Sequence, residues 1–155
     1  MGGIAETVPS DFRPEVTRKE AGWQAWPVQM ALHLAATGTE SRPLFHASEA
    51  HGVMIREVGY LPQDNITGAD TNTTHINLDK RDTAGDNPVE KANKDYTSGV
   101  NETDYNYVSL YKPTGGFKLV KGESLSVEYE KVGNGIIIPQ LLWVVMYENI
   151  LEEVV

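Results

Sequence analysis

There is no cysteine anywhere in the chain. Its absence excludes a disulfide framework, thiolate metal ligation and a cysteine nucleophile together, and leaves the compartment open. A leader-like start is missing as well. "MGGIAETVPSDFRPE" has neither a basic n-region nor an apolar h-region, so no secretory signal is expected. Long apolar runs are scarce. The strongest, "GIIIPQLLWVVM" at 135–146, falls well short of the roughly 20 residues a membrane helix needs, and Pro139 and Gln140 interrupt it. A soluble protein with no membrane partner is the expectation. Basic charge is in short supply: 13 Lys and Arg stand against 22 Asp and Glu, a formal net charge of −9. That average surface repels a phosphate backbone, so nucleic acid is not expected as a partner. Apolar residues are present in ordinary amount, 40% of 155 residues, enough for one domain around one sizeable core.

Two regions differ in pattern. Residues 1–27 contain Pro9, Pro14 and Pro27 among mixed charges and sustain no amphipathic period. They are expected to form an extended N-terminal arm, with room for one short helix that has Pro14 at its first position. The arm carries Phe12, Trp23 and Trp26, whereas disordered tails are normally poor in aromatics. From Val28 to the end, 28–155, the pattern is that of strands. "QMALHLA" sets Met30, Leu32 and Leu34 on one face, leaving His33 on the other, exposed or at a subunit contact. "GVMIREVGYL" begins with Val53 and Ile55 on one parity and ends with Val58 and Tyr60 on the other; a bulge near Arg56 or Glu57 reconciles them. "THINLDK" pairs Ile76 with Leu78, "DYNYVSLYK" alternates Tyr105, Tyr107 and Tyr111 against Val108 and Leu110, and "ESLSVEYEK" aligns Leu125, Val127 and Tyr129. Gly, Pro and Asn turns separate these runs, among them Gly133-Asn134-Gly135. About eight short strands joined in this way indicate an all-β, jelly-roll-like β-sandwich. Its expected core includes Ile55, Ile76, Leu78, Val108, Leu110, Leu125, Val127 and Val145.

No arrangement of residues suggests chemistry. "YLPQDNITGADTNTTHINLDKRD" (60–82) is crowded with Asp, Asn and Thr, yet Asp64, Asp70, Asn72 and Asp79 lack the spacing of a calcium loop. Asx turns between strands are the expected use. Asn65, Asn72 and Asn101 each begin a glycan acceptor pattern, expected to be accidents of Asn- and Thr-rich loops. His46, Glu49 and His51 lie close together, but the H-x-H pair of a cupin-type metal site is absent. There is no G-x-S-x-G and no H-E-x-x-H. Glu128 and Glu130 share a strand face, which is more often solvated than catalytic. Neither an enzyme, nor a metal, nor a cofactor is expected.

Several phrases do match a pattern. Val58-Gly59-Tyr60-Leu61-Pro62, then Thr67-Gly68-Ala69-Asp70-Thr71-Asn72, Leu78, Gly122-Glu123, and Gly133-Asn134-Gly135 with Pro139 resemble a group of small jelly-roll proteins encoded in the structural regions of tailed bacteriophages. The resemblance covers roughly residues 50–148. Glu123 stands where the group usually has Asp, and residues 1–27 lie outside the shared pattern. The resemblance implies a capsid decoration (cement) protein on the outer surface of a virion, partnered by the major capsid protein and by copies of itself. Phe12, Trp23 and Trp26 of the arm are its expected capsid contacts, since buried Trp is a frequent interface anchor. The last strand is apolar on both parities, so Leu142, Val144 and Met146 are expected to meet a neighbouring subunit in a homotrimer. A carbohydrate-binding jelly roll of a phage tail, with Tyr105, Tyr107 and Tyr111 on one strand face, stays open as the alternative.

Overall fold

The computed structural model describes residues 23–48 and 52–150. Among them are eleven strands, one 3-10 turn (Ala35–Thr37) and no α-helix. The strands are β1 (Gln24–Met30), β2 (Glu40–His46), β3 (Val53–Pro62), β4 (Ile66–Thr67), β5 (Thr73–Arg81), β6 (Val89–Asp95), β7 (Asn101–Glu102), β8 (Val108–Tyr111), β9 (Phe117–Leu119), β10 (Ser124–Val132) and β11 (Leu141–Asn149).

Their pairing makes the sandwich a jelly roll. β8 and β9 both pair with β3 and act as one interrupted strand, while β4 and β7 form a separate two-residue ribbon. The eight remaining positions pair antiparallel as first with last (β1·β11), second with seventh (β2·β10), third with sixth (β3·β8/β9) and fourth with fifth (β5·β6). That is one long hairpin. Rolling it up places alternate pairs in opposite sheets, β1-β11-β3-β8 in the first and β2-β10-β5-β6 in the second.

The core lies between the inner faces. Ile55, Val58, Tyr60, Ile76, Leu78, Leu125, Val127, Tyr129, Trp143 and Val145 are fully buried there, and Tyr60 and Trp143 pack with ring centroids 4.8 Å apart. Seven of the eight expected core residues are buried; Leu110 is only partly so, packed against the cluster's margin. The expected bulge exists. Met146 pairs with Glu57 and Tyr147 with Ile55, which leaves Arg56 as the extra residue. The parity change from Ile55 to Val58 therefore keeps both side chains inward.

Three expectations change. β1 begins at Gln24, so residues 24–27 of the stretch read as an arm are sheet-bound, pairing with Val144–Tyr147. Leu32 and Leu34 are exposed and His33 is buried, the reverse of the expected parity. β1 ends at Met30, and the following segment turns so that His33 and Ile138 exchange backbone hydrogen bonds in both directions. The His33 ring then stacks on Tyr129 (4.9 Å), with Nδ1 3.2 Å from the Glu40 carboxylate. Finally, β6 is a strand that alternation did not mark.

Candidate interaction surface

The Asn- and Thr-rich loops are joinery. Asn72 Oδ1 accepts the Asn134 N–H (2.8 Å), so the "GADTN" and "GNG" phrases lock to each other across the end of the sandwich. Gly133 sits at φ +63, and a Cβ there would lie 2.5 Å from the Thr71 carbonyl oxygen. Asn65 Oδ1 accepts the Asp104 N–H (2.9 Å), and Asn101 Oδ1 accepts the Gly68 N–H (3.0 Å). All three asparagines of the acceptor patterns thus satisfy backbone donors between strands, as Asx side chains in turns do.

The outer faces of the two sheets differ in chemistry. On the second sheet, side chains pointing away from the core are polar and cross-linked. Asn77 Nδ2 donates to Glu130, Arg81 donates to Ser126 and Ser41, and His75 Nδ1 lies 3.2 Å from the Asp95 carboxylate. Burial, with the charges of Glu128 and Glu90 close by, raises the Asp79 carboxyl above its ordinary range despite an opposing pull from Arg81.

On the first sheet the register stacks three outward rows. Ala25 and Met146 sit beside Glu57, Pro27 and Val144 beside Gly59, and Gln29 and Leu142 beside Leu61. Leu142 is 38% exposed, and Val144 and Met146 are half-buried. No described element crosses this apolar stripe. It ends at Glu57, nearly buried, whose carboxylate takes the Lys112 ammonium (2.9 Å) and the Tyr107 hydroxyl (3.2 Å). Burial alone pushes Glu57 up, but hydrogen bonds from Lys112, Ser109 and Tyr107 and the Lys112 charge hold it below the ordinary carboxylate range. Burial and the Glu57 charge push the Tyr107 hydroxyl up to about 12.

The expected anchors are placed in part. Phe12 lies outside the described residues. Trp23 is 58% exposed just before β1, and Trp26 is 50% exposed on it. Trp26 packs edge-on against Phe45 (6.2 Å), which in turn meets Tyr147 (4.9 Å). These three rings line a cleft of about 370 Å³ where the β1 and β2 edges of the two sheets face each other. His46 lies on its rim, whereas Glu49 and His51 fall outside the described residues.

The three tyrosines of "DYNYVSLYK" do not share a face. Tyr105 precedes the strand with φ +57, a left-handed conformation costing a non-glycine residue on the order of 1 kcal/mol. Tyr107 points outward over Gly59, and Tyr111 pairs with the inward Val58 and packs on Phe117. Leu110 is the extra residue of a second bulge, which shifts the parity.

Fold and surface together define a jelly-roll sandwich with one apolar and one polar outer face. No family model and no curated protein matches this chain. Among solved structures, "Structure of infectious bursal disease virus Gx strain" overlaps it with a TM-score of 0.35 and 10% identity, over 84% of this chain and 37% of that one. The chain thus spans little more than a third of that protein's length, and at this score the overlap assigns it neither a family nor a function. Among the described residues no helix is long and apolar enough to cross a membrane.

Proposed function

We propose that the chain is a virion structural protein that binds the outer surface of a phage capsid as a trimeric decoration protein and stabilises the shell. The observation that carries this reading is the stripe of Leu142, Val144 and Met146, flanked by Ala25, Pro27 and Leu61, that no strand among the described residues covers, on a sheet whose other face already fills the core. A strand buried on both faces needs a partner on each, and a second copy is the simplest cover for the outer one. The jelly-roll winding and the phrases that resemble phage structural proteins support the virion setting. The partners are then the major capsid protein and further copies of this chain, and the site of action is the outer capsid surface after synthesis in the host cytoplasm. Phe12, Trp23 and Trp26 are the proposed capsid anchors. Half-exposed Trp beside an aromatic cleft is the kind of group that contributes most when covered, and three linked copies gain from effective concentration.

Cosedimentation with empty capsids tests this. The full chain should saturate the capsid at a fixed ratio, and deletion of residues 1–20 should weaken attachment severely while leaving the melting temperature nearly unchanged. Truncated protein that decorates as tightly as the full chain removes the arm from the mechanism; a full chain that does not cosediment removes the function. The carbohydrate-module alternative set Tyr105, Tyr107 and Tyr111 on one strand face; Tyr105 and Tyr107 lie on the outer face of the first sheet, while Tyr111 pairs with the inward Val58, so the three form no single platform.

A further inference from the structure

At the Leu142 end of the stripe the outer face of the first sheet opens into a cleft of about 370 Å³. Its floor is Leu61 and Leu142, neighbours across β3 and β11. Three primary amides surround it: Gln29 from β1, Gln63 just after β3 and Gln140 just before β11. None of these amide groups takes part in a side-chain hydrogen bond among the described residues. The remaining wall is Pro62 and Tyr105, the latter 71% exposed. Its placement is enforced by the backbone. The Asp104 N–H is held by Asn65 and the Tyr105 N–H by the Pro62 carbonyl (2.9 Å), and between these bonds Tyr105 is kept at positive φ. A bulky residue in a left-handed conformation, held there by its surroundings so that its ring stands in solvent, points to a use for the ring.

We propose that this cleft is a binding subsite for a neutral glycan, with one sugar ring stacked on Tyr105 and its hydroxyls bonded to Gln29, Gln63 and Gln140. The chemistry selects that class. Each amide offers both donors and an acceptor, as each sugar hydroxyl does. No charged side chain lines the cleft, so its lining offers the charge of an anionic or cationic ligand no partner. The floor strands are paired on both sides, β11 with β1 and β3, and β3 with β11 and β8, so an extended peptide cannot add to the sheet over the floor and could join only at the outer edge of β1. The floor shares Leu61 and Leu142 with the stripe assigned to subunit contact, so a neighbouring copy seated over that end would close the cleft, whereas one seated on the rest of the stripe would leave it open. Val144 and Met146 lie further along β11, roughly 7 and 13 Å from Leu142 at the usual rise per residue.

The test is an array of uncharged oligosaccharides probed with the full chain, followed by titration of the best binder in solution. Tyr105→Phe should bind like the native chain. Tyr105→Gly should bind at least about tenfold more weakly, because the stacking face is gone. Its melting temperature should not fall, because glycine adopts positive φ without strain; a purely structural tyrosine would lower it. Gln63→Ala should weaken binding by about three- to tenfold. Absence of millimolar binding to any neutral oligosaccharide overturns the proposal. So does binding confined to charged glycans or to peptides, or binding unchanged in Tyr105→Gly. The molar mass of the same samples is read separately: a monomer that binds sugar through Tyr105 contradicts only the trimer, and a trimer that binds none is titrated again as the Val144→Glu monomer, whose failure to bind contradicts the subsite.

Discussion

The two sheets carry equivalent inner faces and opposite outer ones. Inward, β10 and β11 both alternate fully buried apolar residues, Leu125, Val127 and Tyr129 on one and Leu141, Trp143 and Val145 on the other. Outward, β10 presents Ser126, Glu128 and Glu130, whereas β11 presents Leu142, Val144 and Met146. Folding of a single chain explains the inner sets and the polar outer set. The apolar outer set has no strand over it among the described residues, whereas a solvated sheet face is normally polar. The difference between the sheets is the observation on which the proposed subunit contact rests, and each prediction below tests one side of it.

The largest effect belongs to the shared interior. Trp143→Ala should cost about 3–5 kcal/mol of unfolding free energy, read by urea denaturation. Val144→Ala, one residue away but outward, should stay within about 0.5 kcal/mol in dilute, dissociated chain. Similar costs for the two would mean that β11 does not alternate as described.

The charged end of the apolar face comes next. The carboxyl of Glu57 is lowered in the folded state, so its stabilising contribution is present above the ordinary carboxylate pKa and is lost as pH falls through the folded value. Glu57→Gln should cost about 1 kcal/mol at neutral pH and flatten the acid limb of the stability curve; an unaltered acid limb would show that the Lys112 pair contributes nothing.

The polar face gives the smallest effect, of opposite sign. Burial raises Asp79 in the folded state, so its ionised form is disfavoured once pH exceeds the ordinary carboxylate value. Asp79→Asn should therefore stabilise at neutral pH, by about 0.5 kcal/mol, and the gain should vanish on acidification below that value. A loss of stability at neutral pH would mean that the carboxylate holds the sheet together.

Much of this was readable from alternation alone. β10 was legible because Leu125, Val127 and Tyr129 keep a single parity, and the bulge at Arg56 because the parity switches within one apolar run. β6 was not legible: "VEKANKD" is an edge strand exposed along most of its length, so it has no apolar period to betray it. The Leu32–Leu34 face failed because periodicity cannot register where a strand stops; beyond Met30 the partner is the bridge at Ile138, and it turns His33 inward. Tyr105 to Tyr111 failed for a related reason, since a positive φ and a bulge each break a period of two. The apolar stripe itself was visible as surplus hydrophobicity in β11. The cleft at its end was not, because Gln29, Gln63, Tyr105 and Gln140 come from four separate places in the sequence.

Molar mass in solution tests most directly whether the apolar outer face is an interface. Light scattering at micromolar concentration should give three times the chain mass for the native protein and one chain mass for Val144→Glu, with the fold of both intact by circular dichroism. Asn93→Lys, a matched change on the polar face, should leave the native mass unchanged. A native protein that is monomeric and stays so on its capsid, or a Val144→Glu variant that keeps the native mass, would contradict the assignment of that face to subunit contact.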